Sequence, residues 1–164
     1  MASKTTQHWT NLAERRLRRH IRLAHSIPTL SRLGPKATPW MATVKFVNRP
    51  TMTRLNQTYR AKKYPTDILS FPALSPFRAT GLLGELVICF PVLKSQAKDV
   101  GHGPEKELDV LLVHGLLHLL GLDHEISHAE ATRMARWEAR LLASSVRAPR
   151  NVSFGLIRRA DSGI

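Results

Sequence analysis

Residues 104–124 read PEKELDVLLVHGLLHLLGLDH, and the reading of the whole chain turns on them. Pro104 suits the first turn of a helix, where its missing N–H leaves nothing unpaired, and Glu105 and Glu107 suit the positive end of the helix dipole. Leu108, Leu111, Leu112 and Leu119 form one stripe that anchors the helix in a core. Gly121 is placed to end the helix in a left-handed conformation. His114 and His118 are four apart and so stand one above the other on one face, and the glycine turn lets His124 return toward them. Three imidazoles in the pattern H-x3-H-x5-H then converge on one point. Three protein ligands with an open fourth position is the arrangement of a catalytic zinc. One histidine on a helix is more often a surface or satisfied core group, but a matched pair with a third beyond a glycine turn favours a metal. His102 and His128 lie outside this register and read as surface residues.

The same spacing occurs in metzincin peptidases, H-E-x-x-H-x-x-G-x-x-H, where the Glu after the first His is the general base. That position here is Gly115, so a peptidase on this scaffold lacks its base. A metal-activated water needs no such carboxylate to attack phosphorus, and Gly115 is expected to leave room for a bulky substrate beside the metal. In a basic protein such a site points to phosphodiester hydrolysis.

Charge supports a polyanionic partner. The chain has 164 residues, with 25 Lys and Arg against 12 Asp and Glu, a net charge of +13. Residues 1–66 hold fourteen of those basic residues and a single acid, Glu14, so an acidic middle is flanked by basic ends. Such an excess suits nucleic acid or an anionic surface. Hydrophobic residues make up 43% and charged residues 23%, the composition of one globular domain. No apolar run approaches the roughly 20 residues that cross a bilayer, so no membrane partner is expected. Cys89 is the single cysteine, which excludes a disulfide framework and a Cys-rich zinc site.

Along the chain, residues 1–8 read as a disordered start. Residues 9–25 form a basic amphipathic helix, with Trp9, Leu12, Ala13, Leu17, Ile21 and Ala24 at helical spacing. Its Arg-rich composition also fits a targeting peptide, but Trp9 and Ile21 on one face fit a helix docked on its own domain better. Residues 26–40 read as a loop, 41–48 as a strand, and Pro50 opens a short helix with the stripe Met52, Leu55 and Tyr59. Residues 60–66 are a basic loop. Ile68–Phe71 and Leu83–Phe90 are strands joined by a hairpin loop, and a short helix runs from Pro91 to about Asp99. Residues 143–164 lack periodicity and read as a tail, leaving 1–142 as the domain.

Several blocks are similar to one known family. Val113–His124, V-H-G-L-L-H-L-L-G-L-D-H, resembles the signature of the bacterial YbeY-type endoribonucleases, the rRNA maturation factor family. Leu55-Asn56, Tyr59-Arg60 and Pro65-Thr66-Asp67-Ile68-Leu69-Ser70-Phe71-Pro72 resemble its L-N-x-x-[YF]-R and T-D-V-L-S-F-P blocks. Gly84–Cys89 resembles its G-D-I-x-I-[CS], and Gln96-Ala97, Met134 and Glu138 also fall where the pattern expects them. The likeness covers about residues 41–142. Glu85 stands where the family more often has Asp, and Leu122 where it often has Tyr.

The resemblance implies a single α+β domain, with a small mixed β-sheet packed with helices and the three-His helix lining a cleft. It implies a cytoplasmic, zinc-dependent endoribonuclease with one Zn2+ per chain, acting on single-stranded RNA. Its roles would be maturation of the 3′ end of small-subunit ribosomal RNA and ribosome quality control, with the small subunit as a partner. His114, His118 and His124 carry over as metal ligands and Arg60 as the arginine of the active cleft. On chemistry alone, Arg60 can make a two-point contact to phosphate oxygens, or be a solvated helix-end arginine. Lys62 and Lys63 suit phosphate contacts. Asp67 either orients a ligand histidine from behind or caps the backbone beside Pro65-Thr66, with the cap favoured. The alternative is a non-catalytic RNA- or ribosome-binding assembly factor with a structural metal. Three ligands argue against it, because structural zinc is usually closed by four. No residue pattern points to an oligomeric state.

Overall fold

A computed structural model describes residues 4–145. Strand β3 (Leu82–Cys89) runs through the centre of a three-stranded sheet, between β1 (Met41–Val47) and β2 (Ile68–Pro72). β1 is parallel to β3, with Val44 beside Leu86 and Phe46 beside Ile88. β2 is antiparallel to it, with Ile68 beside Ile88 and Ser70 beside Leu86. The sheet is therefore mixed, and the domain is α+β as expected. The apolar run of β3 follows from this place: a strand covered on both faces needs no alternation.

One face of the sheet carries the main core. Val44, Ile68, Leu86 and Ile88 pack there with Leu12, Leu17 and Ile21 of α1 (Lys4–Ser26) and with the leucines of α6 (Pro104–Leu119). α7 (His128–Ser145) adds Met134, Leu141 and Leu142 to the same cluster. The opposite face carries a smaller cluster of Leu69, Val87 and Cys89 around Met52 of α3 (Arg49–Arg60). α3 starts where the Asn48 side chain accepts the Thr51 N–H at 2.9 Å, with Pro50 in the first turn. α5 (Phe90–Val100) leaves β3 directly, and two short helices, α2 (Pro28–Ser31) and α4 (Ser75–Arg78), interrupt stretches read as loops. No described helix is long and apolar enough to cross a membrane.

The helical content extends beyond the reading at both ends. The disordered start assigned to residues 1–8 is helical from Lys4 onward, because the stripe begun by Trp9 continues a helix already under way; residues 1–3 lie outside the described residues. Residues 128–145, for which no element was expected, form α7, whose apolar stripe is hidden in sequence by its arginines. That helix runs three residues into the tail expected at 143–164, and the remainder of that tail lies outside the described residues.

The charge segregation of the sequence has a structural use. Arg16 donates to Asp109 Oδ2 at 2.7 Å and to Glu105 Oε2 at 2.5 Å. Arg19 reaches the same Asp109 carboxylate at 3.4 Å, and the fully buried His20 donates from Nε2 to Asp109 Oδ1 at 2.9 Å. Basic α1 is thus clamped to the acidic start of α6 beside their shared leucine core, so it is a docked element of the domain. Asp109→Ala removes a carboxylate shared by two arginines and a buried imidazole. We expect it to lower stability by about 2–3 kcal/mol, read as a lower denaturant midpoint at unchanged m-value.

Candidate metal centre

The rotation of α6 about its axis decides which side chains meet solvent. Leu108, Leu111, Leu112, Leu116 and Leu119 are buried, while His114 and His118 are half-buried. Gly115 faces the sheet: a Cβ there would stand 2.7 Å from Leu86 Cδ2 and 2.8 Å from Ile68 Cδ1. This corrects the expectation that Gly115 makes room for substrate. It makes room for the sheet, and the close approach turns the histidine face outward. Ser70, two residues along β2 from Ile68, donates its hydroxyl to the Gly115 carbonyl at 3.5 Å.

The turn after α6 brings in the third histidine. The Gly121 N–H bonds to the His118 carbonyl at 2.9 Å and the Leu122 N–H to the Leu117 carbonyl at 3.0 Å. Gly121 has φ +90°, a conformation that costs a residue without Cβ little. Buried Leu122 pins the turn, and Asp123 accepts the Glu125 N–H at 2.9 Å. His124 emerges exposed beside the other two. One nitrogen from each of His114, His118 and His124 lies within 4.8 Å of the others. The ring centroids are 4.7, 5.2 and 5.2 Å apart. A tetrahedral ion with bonds of about 2.0–2.1 Å brings its ligand atoms to roughly 3.4 Å from each other, a contraction that side-chain rotation can supply.

The surroundings prepare these rings for a cation. His114 donates from Nδ1 to Glu138 Oε1 at 2.6 Å, which leaves its Nε2 lone pair for a metal. Burial, reinforced by the charges of His114 and His124, pushes His118 down to about 4. Its ring is therefore unprotonated at neutral pH, as ligation requires. The donor set fits a divalent metal of zinc type, and His124 is exposed to solvent. Glu138 was placed in sequence only by family pattern. Its partnership with His114 was not legible, because it lies 24 residues away on a helix that was not anticipated.

The other singled-out residues divide. Arg60, the last residue of α3, donates to the Glu125 carboxylate and so stands beside the residue that follows His124. Lys62 and Lys63 lie on the loop beyond it. Lys62 is half-buried over the Tyr64 ring at 5.8 Å, and Lys63 is exposed. Buried Asn56 shapes that loop by donating to the Tyr64 carbonyl at 2.7 Å. Asp67 takes the capping role: it accepts the Ile68 N–H at 2.7 Å and the Gln96 amide at 3.1 Å, tying β2 to α5. Glu85 pairs with Lys45 across β1 and β3 at 2.8 Å, a sheet contact. His102, read as a surface residue, is largely covered and meets the buried Glu107 at 2.9 Å; Glu107 serves that pair as well as the helix dipole. His128 is exposed, as read.

Comparison with known proteins gives a consistent likeness. Residues 3–145 match the family described as Endoribonuclease YbeY. The Endoribonuclease YbeY of Bdellovibrio bacteriovorus is 47% identical over 92 residues, covering 56% of this chain and 59% of that protein. That of Solibacter usitatus is 39% identical over 112 residues, covering 68% and 67%. That of Nocardioides is 40% identical over 111 residues, covering 59% and 74%. The chain thus matches between 59% and 74% of the length of these relatives. A Thermotoga maritima protein solved in solution shares the fold, with TM-score 0.55 and 24% identity over 88% of this chain and 85% of that one.

Two outcomes are expected at the centre. Glu138→Gln, which weakens the acceptor behind His114, should lower zinc affinity by about 10–100-fold in competition with a chromogenic chelator. Folding also lowers the His118 value from 6.5 to about 4, so the unfolded chain binds a proton that the metal-free folded chain does not. Stability of the metal-free protein should therefore fall as pH drops from 6.5 toward about 4 and lose nothing further from this group below that. Urea midpoints across the window should slope less in His118→Asn than in the wild type.

Proposed function

Because the chain belongs to the Endoribonuclease YbeY family, we propose that it is a zinc-dependent endoribonuclease cutting single-stranded RNA. Its substrate in this reading is precursor ribosomal RNA at the 3′ end of the small-subunit species. Quality control of defective ribosomes and contact with the small subunit in the cytoplasm belong to the same reading. The observation that carries it is the convergence of His114, His118 and His124 on an outward face of α6, with Glu138 behind His114.

In this reading the three histidines hold the ion and Glu138 fixes the tautomer and orientation of His114. Zinc bound there supplies Lewis acidity and lowers the pKa of coordinated water toward about 7. The chain's own residues do the rest. Arg60 is held at the rim by Glu125, so a phosphate arriving there competes with that carboxylate for the guanidinium fork. The fork then offers two parallel N–H donors where negative charge accumulates on the phosphoryl oxygens. Lys62 and Lys63, on the loop that begins one residue after Arg60, would draw in the flanking backbone without reading sequence. No carboxylate on α6 takes the place of the peptidase base, since Gly115 is directed into the sheet.

The test is cleavage of unstructured and duplex RNA by purified protein, with and without chelator. Cleavage should be confined to the single strand, stop with chelator and return with zinc. Chelator-insensitive cleavage by protein free of contaminating nuclease would remove the metal from the reaction. Arg60→Ala should lower single-turnover cleavage at saturating RNA by roughly 10²-fold, with zinc content unchanged. Arg60→Lys should recover only part of it, because an ammonium lacks the planar fork.

A further inference from the structure

A groove of about 610 Å³ lies between α2 and α7 and shares no residue with the histidine centre. Arg133, Arg136, Trp137 and Arg140 line it from α7, facing Thr29 of α2. At 100° per residue, the three arginines project roughly 140–160° away from Glu138 on the same helix. α7 therefore presents one face to the metal centre and a different one to this groove. The Arg140 guanidinium lies 5.3 Å from the Trp137 ring centroid. Arg133 has a loose contact with Glu130 at 3.5 Å, and Arg136, which is exposed, meets no acidic group among the described residues.

Three guanidinium groups within two helical turns repel each other, so the array gains free energy from an anion laid across it. Along the axis they span about 10 Å, which suits an extended polyanion better than a single small anion. The indole between them adds what an acidic peptide does not need: an aromatic face on which an unstacked base can lie, flanked by guanidinium planes.

We infer that the groove between α2 and α7 is a second RNA site, which holds the phosphodiester backbone of a single strand with a base against Trp137. This rests on the reading that the substrate is RNA. The site holds a segment flanking the one at the histidines, so it contributes to binding of substrate and transition state alike and leaves the chemical step unchanged.

The experiment uses the full chain and the double variant Arg136→Glu, Arg140→Glu, both at solvent-exposed positions. Metal-free protein is titrated with a fluorescent unstructured RNA oligonucleotide over a range of salt. The variant should bind about tenfold or more weakly, with the slope of log affinity against log salt reduced by roughly 1.4, two contacts at about 0.7 each. Zinc-loaded protein at saturating RNA should show single-turnover cleavage within about twofold of wild type, since only uniform binding is lost. RNA-induced quenching of tryptophan fluorescence should persist in Trp9→Phe and be lost in Trp137→Phe. Equal affinity and equal salt slope for wild type and double variant overturn the inference. So does an equal loss of poly-glutamate binding, which marks the groove as a seat for acidic protein. Failure of the nuclease reading shows separately, as absence of chelator-sensitive cleavage by the wild type, while the binding arms read the groove alone.

Discussion

The structure depends on how closely α6 lies against the sheet. Gly115 faces Ile68 of β2 and Leu86 of β3 at a distance that leaves no space for a side-chain carbon without displacing their methyl groups. Once that contact sets the rotation of α6, the leucines around it are committed to the core and His114 and His118 to a half-buried flanking face. The same rotation turns Asp109 toward α1 and His114 toward α7. A bulkier residue at this position would change the aim of the histidines as well as the packing beneath them.

Charge is used at two scales in this chain. Part of the N-terminal basic excess is taken up internally: Arg16 and Arg19 on the start of α6, Lys45 on Glu85, Arg60 on Glu125. The acidic middle of the sequence is therefore a structural counterweight to the basic N-terminal part. The clamp around Asp109 is partly shielded from solvent and bonded to several donors, so it contributes more than exposed pairs such as Arg18 with Glu14. Basic side chains left outward supply the field that favours a polyanion, and net charge alone does not say which they are.

α7 carries two different faces in one element. Its inward side supplies Met134, Leu141 and the carboxylate behind His114, and its outward side carries the arginine and tryptophan array. A helix that is packed on one side and basic on another looks merely charged in sequence. Six of its eighteen residues are Arg, Glu or His, and these break up the apolar spacing that would announce it.

Local rules were enough to read α6. Its start at Pro104, its leucine stripe, the glycine turn and the three histidines follow from helix period and backbone freedom within a span of 21 residues. The three strands and the helix opened by Pro50 were legible for the same reason, and the family blocks carried the α+β class. What only the tertiary structure decided are contacts between residues far apart in the chain. Glu138 behind His114, Asp109 beneath α1, and Arg60 beside Glu125 are separated by 24, more than 80 and 65 positions. No sequence period encodes such pairs, because each depends on how two elements are rotated and docked. Gly115 marks the boundary: its lack of a side chain is plain in the sequence, but which neighbour needs that space is decided only when α6 meets the sheet.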